Sequence, residues 1–345
     1  MSESIETASD HPSIPPLLEA IARFKVKFDA SDSSYNKTLF GNGRMQVKVQ
    51  VLVSGVDVNG SAVHIPADVM ESIQLIHYNT GKTLRDGWTA STEQGQYTLE
   101  APGSSNNANV DDDGSEYDSL HPQVRTFWVS SAVAGTTQVA ARLFLNGEKL
   151  LSNGTTLTSV HDSSVTLEAQ TPVTYAVEQF RWYQTRRGNE HYGNRIFNYY
   201  LGLYPQGQQI KLVDWIVDGI EKGADHLFAG GNKLNEPMTN YMSVFLARPE
   251  TKELFVSLPA KGDPYAYAFF PDAPSWNDEN YHVKVNDHDG ELTVVQALSE
   301  YSSTTAGRSK FGGTLHFVAI DEYGTEHKLA IRVNFYERNL YLQRG

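Results

Sequence analysis

Residues 45–53 read Met-Gln-Val-Lys-Val-Gln-Val-Leu-Val, an alternation of apolar and polar side chains. In an extended chain successive side chains point to opposite faces, so Val47, Val49, Val51 and Val53 share one face while Gln46, Lys48 and Gln50 share the other. A helix would scatter the four valines around its circumference. The stretch is therefore a half-buried β-strand, and its grammar repeats outward along the chain. Asn59-Gly60 supplies a hairpin-type turn. Glu71 to Tyr78 (ESIQLIHY) reads as a strand closed by Asn79-Thr80-Gly81, and Gln96 to Leu99 as a short one. Arg125 to Ser130, Thr137 to Leu145 and Ser164 to Ala169 continue the pattern, with Asn146-Gly147 and Asn153-Gly154 between them. Short strands spaced by roughly 8–12 residues and separated by turn dipeptides indicate a sandwich or barrel.

The first 15 residues are polar, and residues 1–34 form an expected flexible arm in which Leu17 to Phe28 makes a short helix or leads into a strand. Ala101 to Ser119 is a polar insert. Pro172-Val173-Thr174-Tyr175 marks a junction, which divides the chain at 35–175 and 176–345. Beyond it the spacing of Leu212, Val213, Trp215, Ile216 and Ile220 predicts an amphipathic helix near 211–228, stopped by Gly230-Gly231. Strand patterns return at Tyr241–Ala247, Glu253–Leu258 and Tyr265–Phe270. A last hairpin joins Thr314–Ile320 to Lys328–Tyr336 through Glu322-Tyr323-Gly324. The expected fold class is mostly β: an immunoglobulin-like β-sandwich, then a β-rich (α+β) domain with one helix.

The 345 residues carry 28 Lys+Arg against 41 Asp+Glu, a net charge of −13, and no cysteine. Without cysteine there is no disulfide framework, thiolate zinc site, iron–sulfur cluster or cysteine nucleophile. The acidic balance argues against nucleic acid and anionic membranes as partners. No apolar run of ~18 residues exists to form a spanning helix. The N-terminus lacks a basic stretch followed by an apolar one, so no secretory signal is read. The expected chain is soluble and cytoplasmic at synthesis, with particle association or non-classical release as routes outward.

Val56-Asp57-Val58-Asn59-Gly60-Ser61-Ala62-Val63 is a strand–turn–strand of the D-x-N-G-x-x-V kind. Ser131 to Ala141 (SAVAGTTQVAA) follows an A-G-T-x-x-V-x-A pattern. Together they make the region from Met45 to Tyr175 resemble bacterial immunoglobulin-like modules. The resemblance implies a spacer or binding platform of a surface, fibre or tail protein. The chain departs from that family in having no secretion signal and in not repeating the module in its second half.

Three constellations could carry function. Asn109, Asp111 and Asp113 sit at i, i+2 and i+4 before Gly114, with Asp118 following, a spacing that lets short oxygen side chains converge on calcium. The twelfth position of an EF-hand would need Glu and is Leu120, so a solvated acidic loop competes with a calcium loop. Asn286-Asp287-His288-Asp289-Gly290, between strand-like YHVKV and ELTVV, reads as a hairpin turn. Phe180 to Tyr204 is rich in arginine and aromatic residues: Arg181, Trp182, Tyr183, Arg186, Arg187, Tyr192, Arg195, Tyr199 and Tyr200 form the candidate binding surface. Arginine and aromatics suit protein interfaces, and aromatic faces also pack on sugar rings. No HExxH, GxSxG, P-loop or GxGxxG motif occurs, so no catalytic residue is assigned. Asp214, Asp218 and Glu221 would line one side of the predicted helix as solvated charges. The reading is a non-enzymatic structural or binding protein that meets protein partners or self-assembles in a multi-subunit particle. A carbohydrate-binding lectin-like or toxin component is the alternative, and a glycan-acting enzyme with carboxylates from distant strands the further one.

Overall fold

The computed structural model describes residues 17–29, 34–98, 122–154, 162–217, 226–229, 241–259, 278–301, 314–334 and 337–345. The chain is mostly β and divides into two compact units, Met1–Thr171 and Pro172–Gly345.

The first unit contains β1 (Ala20–Lys27), β2 (Asn36–Phe40), β3 (Val47–Val56), β4 (Ala62–Val63), β5 (Gln74–His77), β6 (Trp88–Ser91), β7 (Gln123–Ser131), β8 (Gly135–Leu145), β9 (Glu148–Leu151) and β10 (Val165–Gln170). One sheet runs β1-β3-β7-β6 with β4 on β3. The other runs β2-β10-β8-β5 with β9 on β8. All pairs are antiparallel except β2 with β10. β3 follows its alternation: Val47, Val49, Val51 and Val53 are all buried. The Val56–Val63 segment forms the β3–β4 turn, where Asp57 Oδ1 accepts the backbone N–H of Asn59 and Ser61. Ser131–Ala141 spans the end of β7, the turn at 132–134 and the first part of β8. A five-residue helix, α1 (Ala67–Glu71), sits before β5.

Inside the stretch expected as an arm, Leu18, Ile21 and Phe24 are buried, three residues apart as in a helix, yet Ala20–Lys27 is strand β1. Its register against β3 shifts between Ile21 and Arg23. The extra residue of this bulge returns two side chains of odd separation to one face. The short strand expected at Gln96–Leu99 is absent from the described part of that stretch.

The second unit contains β11 (Phe180–Arg186), β12 (Asn194–Leu203), β13 (Leu212–Ile216), β14 (His226–Ala229), β15 (Tyr241–Ala247), β16 (Glu253–Pro259), β17 (Asp278–Lys284), β18 (Leu292–Ser299), β19 (Thr314–Asp321), β20 (Glu326–Asn334) and β21 (Asn339–Arg344). A five-stranded sheet runs β11-β12-β18-β15-β14, a four-stranded one β13-β19-β20-β21, and β16 pairs β17 as a ribbon. One core lies between the two larger sheets, built from Leu201, Met242, Val294, Trp215, Phe317 and Ile331 among others. The opposite face of the five-stranded sheet packs on the ribbon through Ile196, Phe245, Val256, Val283 and Val295. The sheet is therefore covered on both faces, and every residue of its central strand β18 is buried. A strand buried on both faces has no reason to alternate.

The helix expected near 211–228 is corrected. Leu212–Ile216 is strand β13, His226–Ala229 is strand β14, and 218–225 lie outside the described residues. β13 pairs Leu212 with Asp321 and Asp214 with Ile320, so Val213 is a bulge. Leu212 and Trp215 thereby fall on one buried face at helical spacing, while Ile216 stays 39% exposed. The strand expected at Tyr265–Phe270 lies outside the described residues.

Candidate functional site

β11 and β12 pair with Tyr183 opposite Tyr200 and Arg181 opposite Gly202. Alternation sends Phe180, Tyr199, Leu201 and Leu203 into the core between the larger sheets. Arg181, Tyr183, Tyr200 and Gly202 point to the other face. β18 adds the next row. Its Leu292 pairs with Leu201, which leaves Glu291, one residue earlier, beside Gly202. The glycine makes that meeting possible: a Cβ there would lie 2.6 Å from Tyr204 Cε2 and 3.0 Å from Glu291 Cγ and Oε1.

Glu291 is 6% exposed and gathers the donors around it. Tyr204 donates its hydroxyl to Oε1 at 2.8 Å, and Tyr183 donates to Oε2 at 2.8 Å. His288 Nδ1 stands 3.1 Å from the same Oε2 and 2.7 Å from the Tyr183 hydroxyl, so the three polar atoms close a triangle. The His288 ring lies 4.0 Å from the Tyr200 ring with planes 8° apart, and Tyr200 donates to Asp287 Oδ1 at 3.2 Å. The Arg181 guanidinium sits 4.9 Å from the Tyr183 ring and 5.6 Å from the Tyr204 ring. Burial, then the hydrogen bond to Glu291, pushes both the Tyr183 and Tyr204 phenols above their ordinary range. They are donors fixed in the protonated form, and neither is primed as a nucleophile. Each Glu291 oxygen is already occupied. The network clamps the corner where β11, β12 and the turn into β18 meet.

That turn is not the hairpin expected from its sequence. β17 pairs with β16 and β18 with β12 and β15, so residues 285–291 carry the chain from one layer to another. Asn286 stands at φ 49° and directs it: its amide donates to the carbonyls of Arg248 and Thr251, and its Oδ1 accepts from Thr293 N.

The nine candidate surface residues divide. Arg181, Arg186 and Arg187 are exposed, Arg186 lying 4.0 Å from Glu190. Tyr192, in the turn between β11 and β12, is 88% exposed. Trp182, Tyr183 and Arg195 are half-buried, with Trp182 Nε1 donating to Leu340 O and its ring stacked on Tyr199 at 5.0 Å. Tyr199 and Tyr200 are corrected as surface residues: both are buried, because the sheet they sit in is covered on each face. Burial pushes the Tyr199 phenol up to about 12. Gly202, Tyr204, Asp287, His288 and Glu291 went unrecognised as one site. The run Asp287-His288-Asp289-Gly290-Glu291 holds more titratable groups than a two-residue turn needs, which is the signal that was present.

Asn109, Asp111, Asp113 and Asp118 lie outside the described residues. Among the described residues no group of three or more His, Asp or Glu is arranged to hold a metal, and no helix is long and apolar enough to cross a membrane. No family model, curated protein or solved structure matches the chain.

Proposed function

We propose that the chain is a non-enzymatic binding or structural protein, and that its second unit meets protein partners or further copies of itself through the β11–β12 hairpin. The observation that carries this reading is Tyr192, 88% exposed in the turn next to the exposed Arg186 and Arg187. Tyrosine and arginine are the side chains over-represented where interfaces derive their energy. On a chain of net charge −13 a local basic patch also has complementary surface to meet, including that of another copy. In this reading the first unit is a spacer or platform of immunoglobulin-like kind, and the assembly is a multi-subunit particle. A glycan platform on the same segment is less well supported, since stacking on sugar needs open rings and Tyr199 and Tyr200 are buried. Catalysis by Glu291 is disfavoured for a similar reason, both its oxygens being committed to phenols.

The test is solution mass by light scattering over a concentration series, for the natural chain and for the triple variant Arg186→Glu/Arg187→Glu/Tyr192→Ala. The expected result is a defined oligomer that the variant dissociates without loss of its β circular-dichroism spectrum. A natural chain monomeric throughout, or an oligomer whose mass the variant leaves unchanged, overturns the self-assembly reading.

A further inference from the structure

We propose that the first unit carries a binding site for a neutral saccharide, in the cleft between the two connections that cross from sheet to sheet. One connection leaves β5 at His77 and reaches β6 at Trp88. The other leaves β7 and enters β8 through residues 132–134. Between them opens a cleft of about 370 Å³, within the size range of small-ligand sites.

Its walls are built before any ligand arrives. Asp86 and Gly87 stand consecutively in the left-handed region, at φ 57° and 90°. A Cβ on Gly87 would come within 2.6 Å of Val133 Cγ2, and Ala132 N donates to Gly87 O at 2.9 Å. From the other side the Gly41 backbone presses on the same turn, where a Cβ would lie 2.6 Å from the Val133 carbonyl, and Gly43 N donates to Ser131 O. His77, at the end of β5, ties the first connection to β8. Arg85 N donates to its Nε2 at 3.1 Å, so its Nδ1 carries the proton and donates to Thr137 Oγ1 at 2.9 Å. Asp86, a non-glycine residue in the left-handed region at a cleft wall, is the kind of backbone strain that collects at ligand sites.

The lining selects the chemistry. Arg85 and Asp86 pair at 3.3 Å, so together they bring no net charge, and the acidic chain repels anions. Asn79, Thr136 and Gln138 add amides and a hydroxyl, and Gln138 is fixed by its donation to Ser164 Oγ at 2.7 Å. Val133, 48% exposed, gives an apolar wall. Planar polar groups for neighbouring hydroxyls, one apolar surface and no net charge together fit a sugar ring. The site uses none of the hairpin residues, so it stands or falls independently of the assembly reading.

Saturation-transfer NMR on the full chain tests it, with glucose, galactose, mannose, N-acetylglucosamine, lactose and maltose as probes. The expected result is transfer to at least one of the six. Affinity should weaken about tenfold in Asp86→Gly, which removes the carboxylate while keeping the left-handed backbone. Transfer should disappear in Thr136→Trp, which fills the cleft from an exposed position, and should persist in the Arg186→Glu/Arg187→Glu/Tyr192→Ala hairpin variant. No transfer to any of the six, or transfer that both cleft substitutions leave unchanged, overturns the proposal.

Discussion

Trp215 and Ile216 are neighbours that the expected helix would place on one apolar face and a strand sends to opposite faces. The indole is 0% exposed, and its Nε1 donates to Ala247 O at 2.8 Å. The Arg248 guanidinium lies 3.9 Å from its ring and donates to the Trp215 carbonyl. Trp215→Phe keeps a ring in place but leaves the Ala247 carbonyl without that donor, a loss of about 1–3 kcal/mol. The smaller side chain forfeits about 1 kcal/mol more in buried apolar surface. The sum is about 2–4 kcal/mol. With a urea dependence of about 2 kcal/mol per molar, the midpoint of the second unit's transition should fall by about 1–2 M. Ile216→Ala, at a site 39% exposed, should cost under about 1 kcal/mol. Urea titration followed by far-ultraviolet circular dichroism compares the two. Equal midpoint shifts for both substitutions would refute the strand account of this segment.

Gly202→Ala places a methyl 2.6 Å from Tyr204 Cε2 and 3.0 Å from Glu291, so overpacking should cost about 1–3 kcal/mol and lower the melting temperature by about 5 °C. A calorimetric melt at the natural temperature would contradict the role given to that glycine. Alkali should also destabilise the second unit. The Tyr199 phenol is raised from 10.0 to about 12, so the fold favours its protonated form. That stability is complete below about pH 10 and is lost as pH climbs toward about 12. It amounts to about 1–3 kcal/mol after allowance for screening. Urea midpoints measured across this window should fall for the natural chain and fall less for Tyr199→Phe. Equal slopes would remove Tyr199 from the explanation.

The class of fold was legible wherever a strand has one wet face. The alternation of Val47 to Val53 places four side chains in the core without further information. It became illegible at the bulges. Val213 in β13, and the register shift between Ile21 and Arg23 in β1, each convert a period of two into an apparent helical spacing. A local window cannot distinguish a bulged strand from a helical turn, since the deciding fact is the partner strand. The candidate site was half legible for a related reason. Composition picked out the segment from Phe180 to Tyr204, but neither residue type nor spacing reveals that a strand will be covered on both faces. Tyr199 and Tyr200 were therefore read as surface. Glu291 and His288 meet Tyr183 only through the β12–β18 pairing, more than a hundred residues along the chain.

That pairing has a consequence for how the second unit is made. β12 and β15 have no common neighbour until β18 arrives between them, and β12 begins its register at Asn194 with Ser299. During synthesis at about 5–20 residues per second, each of these apolar strands waits with one bare edge, β12 for about 5–20 s and β15 for about 3–10 s. Such edges are templates for pairing with other chains. The hazardous interval of this protein's life is thus set by the ribosome, and a slow stretch of translation just before β18 would lengthen it, whereas the same delay placed after Ser299 would cost little.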